Sequence, residues 1–264
     1  MGQKTLTEKL QEIYLIDRME RIALEFPGYG YRRVKCTLKR EGINVNHKKV
    51  LRVMNENDLL CVIRKKFKPH TTDSNHKYLR YPNLIKDLVI ERLNQVWVAD
   101  ITYIRILTGF VYLAAILDGL SRKVIGYAIS NRLDTDLTLG ALKMAIVSRE
   151  ITPGIIHHSD AGVQYASDEY TAELNKYGFR ISMAGKGNPY DNAMMESFIK
   201  TLKYEEVYLF EYETIEDVWA RVGFFLEKVY NKKRLHSSLD YLTPEEFETK
   251  HYEKQTGPVA FTLT

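Results

Sequence analysis

Apolar residues recur at helical spacing through the N-terminal part of the chain. Residues 6–26 carry them on one stripe, which predicts a first amphipathic helix. A second, shorter helix is predicted around Val34, because Tyr31 and Leu38 share its face, and Asn46 is a candidate N-cap for a third. The residues expected to face inward on the first and third helices are Leu6, Leu10, Ile13, Tyr14, Ile22, Val50, Leu51 and Met54.

The third helix has a basic outer face formed by Lys48, Lys49 and Arg52. Two short helices joined by a glycine-containing turn, the second of them basic, are typical of a helix-turn-helix module that binds DNA. A basic run follows and offers further phosphate contacts, and its candidate DNA-binding residues are Arg64, Lys65 and Lys66. Many small helical hairpins bind no DNA, so the pattern favours this interpretation without excluding a solvated surface.

Beyond residue 90 the pattern changes to β-rich runs. Runs at 96–106, 110–117 and 124–129 are separated by short turns, which predicts an antiparallel meander of three strands. Helical and strand-like segments then alternate, as helix 134–149, strand 154–157, helix 168–177, strand 179–183 and a helix from about 192 to 204. This order predicts an α/β fold, with a mixed sheet flanked by helices.

The same patterns predict how the chain is organised into parts. These are a helix-turn-helix module at residues 1–68, a polar linker at 69–90, an α/β core with C-terminal helices at 91–250 and a tail at 251–264. Within the core, Thr214 is predicted to cap a long helix, and a short final helix is predicted at 245–250.

Charge is divided unequally between these parts, although the net charge of the whole chain is only +4. Residues 1–80 contain 18 Lys and Arg against 9 Asp and Glu, whereas residues 81–264 contain 20 against 25. A basic N-terminal part favours binding of a polyanion there, and a mildly acidic remainder suggests a different task for the rest of the chain.

Composition excludes several classes of protein. With 45% hydrophobic and 27% charged residues, the chain is typical of globular proteins, not of disordered ones. Two cysteines, Cys36 and Cys61, cannot form a disulfide framework, and no apolar run reaches the roughly 20 residues that span a bilayer. We therefore expect a cytoplasmic protein that is not embedded in a membrane.

Three carboxylates lie on separate elements of the predicted core. Asp100 is in the middle of the strand 96–106, which is apolar on both faces and therefore expected to be central and buried. Asp160 follows the strand 154–157, and Glu196 lies on the helix after the last strand. A structural role is an alternative for each of them: a donor such as Arg105 or a backbone amide for Asp100, a turn cap for Asp160 and an exposed Glu–Lys pair for Glu196.

Taken together, the carboxylates favour a metal site. Convergent carboxylates without cysteine or dense histidine suit Mg²⁺ or Mn²⁺. Two such ions about 3.5–4 Å apart can hold the attacking and leaving oxygens of a phosphodiester. That chemistry suits a chain whose N-terminal part is expected to bind nucleic acid.

The blocks around these carboxylates resemble the catalytic blocks of DDE transposases. They are WVADITYI around Asp100, HHSDAGVQYAS around Asp160 and GNPYDNAMMESFIKTLKYE around Glu196, with 59 and then 35 residues between the three acids. YGYRRVKCTLKREGINVNHKKVLRVMNENDL and YNKKRLHSSLDYLTPEEF also match. Over residues 20–250 the chain resembles the orfB product of the bacterial insertion-sequence family that has two overlapping frames, orfA and orfB.

The resemblance implies a ribonuclease-H-like core of the retroviral-integrase type and catalysis of strand cleavage and strand transfer with two Mg²⁺ or Mn²⁺ ions. Asp100 would bridge both ions, and Asp160 and Glu196 would each complete one. Lys203 matches the basic residue that follows the glutamate, and we expect Lys200 and Lys203 to contact DNA phosphate.

The implied partners are double-stranded DNA at the element ends and at the target, further copies of the chain on that DNA, and the orfA product or an orfA–orfB fusion. The implied location is the nucleoid. Two alternatives stay open: a DNA-binding regulator without catalysis, and a nuclease of the ribonuclease H type. Gln164 and His236 match the family blocks without an assigned role, and His157 and His158 are expected to be structural.

Overall fold

A computed structural model describes residues 5–61, 77–185 and 192–256. The chain separates into two compact units. The helical unit comprises Met1–Lys66 together with Leu235–Tyr241, and the sheet unit comprises Phe67–Arg234 and Leu242–Thr264. The short segment from the C-terminal region therefore belongs to the helical unit.

The helical unit contains α1 (Leu6–Glu25), α2 (Tyr31–Arg40) and α3 (His47–Glu56). The predicted cap of α3 is confirmed, because the Asn46 side chain accepts a hydrogen bond of 2.9 Å from the Lys48 amide. Gly42 follows α2 with a φ of 81°, a left-handed conformation that suits glycine and ends the helix.

The predicted inward face of α1 is wrong except at Ile22. Leu6, Leu10, Ile13 and Tyr14 are exposed, whereas Leu15, Met19 and Ile22 are buried. The helix carries two apolar stripes, and α2 packs against the one nearer its C-terminal end. On α3 the predicted Val50 and Met54 are buried, but Leu51 is exposed, because Val53 and not Leu51 shares their face.

The segment Leu235–Tyr241 is hydrogen-bonded to the helical unit at both ends. The Leu235 amide donates to the Tyr29 hydroxyl at 2.7 Å, and the Arg33 Nε donates to the Leu235 carbonyl at 3.0 Å. At the other end the Arg40 guanidinium donates to the Tyr241 carbonyl at 2.8 Å. These bonds satisfy backbone groups that the segment's own short 3₁₀ turn leaves unpaired.

The sheet unit has five strands in the order β3-β2-β1-β4-β5. Their bounds are β1 Val96–Ile106, β2 Gly109–Asp118, β3 Val124–Ser130, β4 Ile156–Ser159 and β5 Arg180–Met183. β1, β2 and β3 form the predicted antiparallel meander, whereas β4 pairs parallel with β1 and β5 parallel with β4. The predicted mixed sheet is confirmed, with β1 in its centre.

Helices cover both faces of this sheet. The helices of the sheet unit are α4 (Thr135–Ser148), α5 (Val163–Ala166), α6 (Asp168–Lys176), α7 (Ala193–Leu202), α8 (Ile215–Phe224) and α9 (Pro244–Thr256), with π-helical turns at Lys203–Val207 and Phe225–Tyr230. Val96, Val98 and Ile104 of β1 pack with α7 and α8, whereas Trp97 and Ala99 pack with α4 and α6. β1 is thus buried on both faces, as its sequence predicts.

Candidate active site

Asp100 lies on the face of β1 that α7 covers. Its Oδ1 accepts a hydrogen bond of 2.7 Å from the Ile101 amide, and its Oδ2 accepts one of 3.2 Å from the Asn192 side chain. Burial and the nearby charge of Asp160 raise the pKa of Asp100 to about 8, with a further contribution from Glu196. Two donors are therefore too few to stabilise the ionised carboxylate in this position.

Asp160 is brought beside Asp100 by the register of two parallel strands. Val98 of β1 is paired with His158 of β4, and Asp100 and Asp160 each lie two residues further along the chain. Neighbouring strands lie about 4.8 Å apart, which explains why the charge of one aspartate acts on the other. Asp160 directly follows β4, and its charge acts on the Asp100 carboxyl group of the neighbouring strand.

The turn after β4 orients the Asp160 carboxyl group. The Gly162 amide donates to Oδ1 at 3.1 Å. A Cβ at position 162 would lie only 2.9 Å from the same oxygen, which is closer than real Cβ atoms come. A larger residue here would therefore have to displace the Asp160 carboxyl group, whereas the φ of −73° suits any residue.

Glu196 lies in the first turn of α7, at the edge of this pair. Met195, Phe198 and Leu202 of α7 are buried in the core, whereas Glu196 is exposed. Its charge still contributes to the raised pKa of Asp100. Within residues 5–61, 77–185 and 192–256, no group of three or more His, Cys, Asp or Glu side chains is compact enough to hold a metal ion.

Two polar groups near the aspartates escape the sequence analysis. Asn192 has a buried Oδ1 without a hydrogen-bond partner among the described residues, while its Nδ2 is bonded to Asp100. Tyr165 is buried, and no described residue forms a hydrogen bond with its hydroxyl; burial, Tyr170 and the charges of Asp100 and Asp160 raise its pKa. Asn192 precedes Glu196 by four residues, and that one-turn spacing is the signal that could have revealed it.

His157 and His158 each have one ring nitrogen beside a hydroxyl group of the core. His157 Nε2 lies 2.9 Å from the Tyr170 hydroxyl, and His158 Nδ1 lies 2.8 Å from Ser182 Oγ. Burial, followed by the neighbouring His158, lowers the pKa of His157 to about 3. His157 is therefore neutral over the physiological pH range.

The chain is similar to known proteins over most of its length. Residues 91–189 and 177–244 match the integrase core domain, and residues 9–67 match the HTH-like domain. The transposase for insertion sequence element IS904 of Lactococcus lactis is 35% identical over 259 residues, which cover 94% of this chain and 98% of that protein. The chain belongs to the insertion-sequence transposase family.

A second relative and a solved structure are also similar to this chain. The IS600 uncharacterized 31 kDa protein of Shigella sonnei is 38% identical over 226 residues, which cover 85% of this chain and 83% of the relative. Among solved structures, the catalytic core domain of HTLV-2 integrase in complex with magnesium is 15% identical, with a TM-score of 0.45. The similarity covers 58% of this chain and 95% of that one. The family resemblance inferred from the sequence blocks is confirmed.

The candidate DNA-binding residues of this family member fall into two groups. Lys48 and Lys49 are exposed on α3. Arg52 is also exposed, but its guanidinium forms ion pairs of 3.3 Å with Glu12 and 3.2 Å with Glu56. Arg64, Lys65 and Lys66 lie outside the described residues.

The two candidate lysines of α7 and its extension have different surroundings. Lys200 is exposed, as a phosphate contact requires. Lys203 is only 6% exposed, its Nζ donates to the Tyr103 carbonyl, and the same atom lies 3.9 Å from the centre of the Tyr103 ring. The expected solvent-facing position is therefore found for Lys200 and not for Lys203.

Gln164 and His236 lie in different units. The Gln164 side chain donates to the Leu133 carbonyl at 3.4 Å beside the turn that holds Asp160. His236 is buried at the start of the 3₁₀ turn in the helical unit, and its carbonyl accepts from the Tyr241 amide at 2.9 Å. Across the described residues, no helix has the length and apolar character needed to cross a bilayer.

Proposed function

We propose that this chain is a DNA transposase that cleaves and joins phosphodiester bonds at the ends of its insertion sequence. Asp100, Asp160 and Glu196 are its catalytic carboxylates in this proposal. The observation that carries it is the register of β1 and β4, in which Val98 pairs with His158 two residues before Asp100 and Asp160, together with the effect of the Asp160 and Glu196 charges on the pKa of Asp100. Asp160 directly follows β4, and strand ends are where active-site groups collect in α/β sheets.

The donor set suits Mg²⁺ or Mn²⁺. Carboxylate oxygens are the ligands that these hard cations prefer. Without a cation Asp100 keeps its proton up to a pH of about 8, so a divalent ion would supply the missing positive charge. Asp100 and Asp160 would hold the cation, and Glu196 would join them by a rotation of its exposed side chain.

A bound cation would supply two things: an acidified attacking water or 3′-hydroxyl, and neutralisation of charge on the phosphate. The chain's own residues orient the carboxylates for this task. The Ile101 amide and the Asn192 side chain fix the two oxygens of Asp100, and the Gly162 amide fixes Oδ1 of Asp160. A second ion, as the resemblance implies, would share Asp100.

DNA would be held first by exposed lysines. Lys48 and Lys49 on α3 and Lys200 on α7 present accessible ammonium groups, and exposed charges of this kind bind phosphate through release of counterions. The resemblance extends the proposal to the partners: several copies of the chain on the element ends, the orfA product or an orfA–orfB fusion, and a nucleoid location.

The proposal is tested with Asp100→Asn, Asp160→Asn and Glu196→Gln in the full chain, assayed for cleavage of element-end DNA with Mg²⁺. We expect each variant to lose at least about 100-fold in rate, the size of one electrostatic stabiliser of a transition state, while DNA affinity is kept. Glu169→Gln, an exposed acid on α6, is the matched control and should cleave like the wild type.

Two outcomes would contradict the proposal. Wild-type cleavage by any of the three variants would remove that carboxylate from the active site. Specific binding of end DNA by the wild type without cleavage, also in the presence of the orfA product, would instead support a regulator without catalysis.

A further inference from the structure

Lys203 has an unusual environment for a lysine of a DNA-binding protein. It is the first residue of the π-turn that extends α7, and it is 6% exposed. Its ammonium group donates to the Tyr103 carbonyl and lies over the Tyr103 ring. No described carboxylate forms an ion pair with it. A carbonyl and an aromatic face therefore replace the water that a surface lysine would keep.

The partner strand is the one that carries Asp100. Tyr103 follows Asp100 by three residues on β1, and Lys203 follows Glu196 by seven residues along α7 and its extension. Three residues of a strand span about 10 Å. Seven residues of a helix also span about 10 Å. The distance from Asp100 to Tyr103 along β1 is therefore about the same as the distance from Glu196 to Lys203 along α7 and its extension.

The rest of the interface between α7 and β1 is apolar. Met195, Phe198 and Leu202 pack into the same core as Val98 and Ile104. Apolar contacts are non-directional, so they resist separation of helix and strand better than a small slide of one along the other. A hydrogen bond to a fixed backbone carbonyl is directional and opposes such a slide.

We propose that Lys203 is a positioning residue, which holds Glu196 at its distance from Asp100 by anchoring the end of α7 to the Tyr103 carbonyl of β1. This inference rests on the proposed function, because it gives Lys203 a role only if Glu196 acts with Asp100. It differs from the expectation drawn from the sequence, in which Lys203 contacts DNA phosphate.

The cost of burying this lysine supports a role in function. Burial lowers the pKa of Lys203 to about 8, so its charged form is disfavoured in the folded protein. A methionine would fill a similar volume without that penalty. If this position had only a structural role, an apolar side chain would therefore stabilise the fold more than lysine does.

The experiment compares Lys203→Met with Lys200→Met in the full chain. Each is measured for affinity to element-end DNA at several salt concentrations, for cleavage rate at saturating DNA, for the Mg²⁺ concentration that gives half of the full rate, and for Tm with and without Mg²⁺. Lys176→Met is the matched control, because Lys176 also lies over a tyrosine ring, at 5.0 Å from Tyr177, but is exposed on α6.

For Lys203→Met we expect DNA affinity within about twofold of the wild type and an unchanged salt slope. The cleavage rate should fall about tenfold or more, more Mg²⁺ should be required, and Tm at neutral pH should not fall. Lys200→Met should weaken DNA binding and reduce the salt slope by about 1. Lys203→Arg, which keeps a donor at the end of a long side chain, should recover part of the lost rate.

The outcomes separate this inference from the proposed function. A salt slope lowered by about 1 with an unchanged rate would make Lys203 a phosphate contact and overturn the inference. An unchanged rate with an unchanged slope would overturn it as well. If the wild type does not cleave, the proposed function fails by itself. The inference about Lys203 is then tested by the rise in Tm that Mg²⁺ induces. It requires that Lys203→Met reduce this rise and that Lys176→Met leave it unchanged.

Discussion

The helical unit and the sheet unit place their charges in opposite ways. No Lys, Arg, Asp or Glu in the described part of the helical unit is buried, and its ions pair at the surface, as Arg18 does with Glu41 at 2.6 Å. The sheet unit buries Lys203 and the ion pair of Arg234 with Glu205, and it surrounds Asp100 with too few donors. Exposed charges cost little free energy and can exchange their ion-pair partner for a phosphate. Buried charges cost more free energy and are held in one position.

The largest expected effect concerns the proton of Asp100. In the folded protein its pKa is about 8, far above its usual value of 3.8, so the unfolded chain releases this proton first as the pH rises. Stability of the metal-free protein should therefore fall between pH 4 and pH 8 through this group and level off above pH 8. Asp100→Asn should raise Tm at pH 8 by about 5 °C and remove this part of the pH dependence.

Thermal unfolding in EDTA checks this expectation, because the difference between the wild-type and Asp100→Asn curves isolates the group. Parallel curves from pH 4 to pH 8 would show that Asp100 is not destabilised in the fold. Added Mg²⁺ should raise Tm of the wild type and not that of the variant, since the cation replaces the proton.

Gly162→Ala should give the next largest effect. The added methyl group would meet Oδ1 of Asp160 at 2.9 Å and must displace it, so we expect the cleavage rate to fall about tenfold while DNA affinity is kept. Gly30→Ala is the control in the helical unit, because a Cβ there meets nothing within 4 Å. Equal cleavage by both variants would mean that the Asp160 position tolerates the displacement.

The double variant Lys48→Ala, Lys49→Ala tests the exposed charges of the helical unit. Both lysines are exposed, so their removal should weaken binding of DNA several-fold and lower the salt slope by about 2, one for each phosphate contact. The cleavage rate at saturating DNA should be unchanged. A lower cleavage rate with an unchanged salt slope would show that Lys48 and Lys49 act in the reaction and not in DNA binding.

The smallest expected effect concerns Arg52, whose charge is shared with Glu12 and Glu56. Arg52→Ala should cost at most about 1 kcal/mol of stability, since exposed ion pairs contribute little. Glu12→Gln should strengthen DNA binding about twofold, because Arg52 then has one acidic neighbour fewer. Titration of end DNA at low salt measures both, and weaker binding by Glu12→Gln would show that the ion pair orders the binding surface.

Most of the sheet could be predicted from the sequence because its signals are local. β1 has the predicted bounds, since an uninterrupted apolar run between polar turns has few alternative structures. β4 was expected at 154–157 and is found at Ile156–Ser159, because Gly154, with a φ of 97°, belongs to the preceding turn. The face of α1 could not be predicted, since the choice between its two apolar stripes depends on where α2 packs.

For the candidate site, the sequence indicates which residues to consider but not the contacts that they make. Spacing along the chain identifies Asp100, Asp160 and Glu196 as candidates, and their roles stay predictions. The hydrogen bond from Asn192 to Asp100 depends on a distance between elements that no local pattern contains. The burial of Lys203 could not be predicted for the same reason. The seven residues from Glu196 to Lys203 and the three residues from Asp100 to Tyr103 span equal lengths, but only packing of the helix against the strand brings Lys203 to Tyr103.

The segment Leu235–Tyr241 has a consequence for how this protein can be divided. The helical unit is discontinuous in sequence, so deletion of the N-terminal residues would leave Leu235 and Tyr241 without the Tyr29 and Arg40 partners that bond to them. Such a truncation changes two parts of the chain at once, and a loss of function in it would not identify DNA binding as the cause. A peptide spanning the three N-terminal helices, added back in trans, could restore the missing partners. For the same reason, exchange of this unit between relatives should succeed only when both of its pieces are exchanged together.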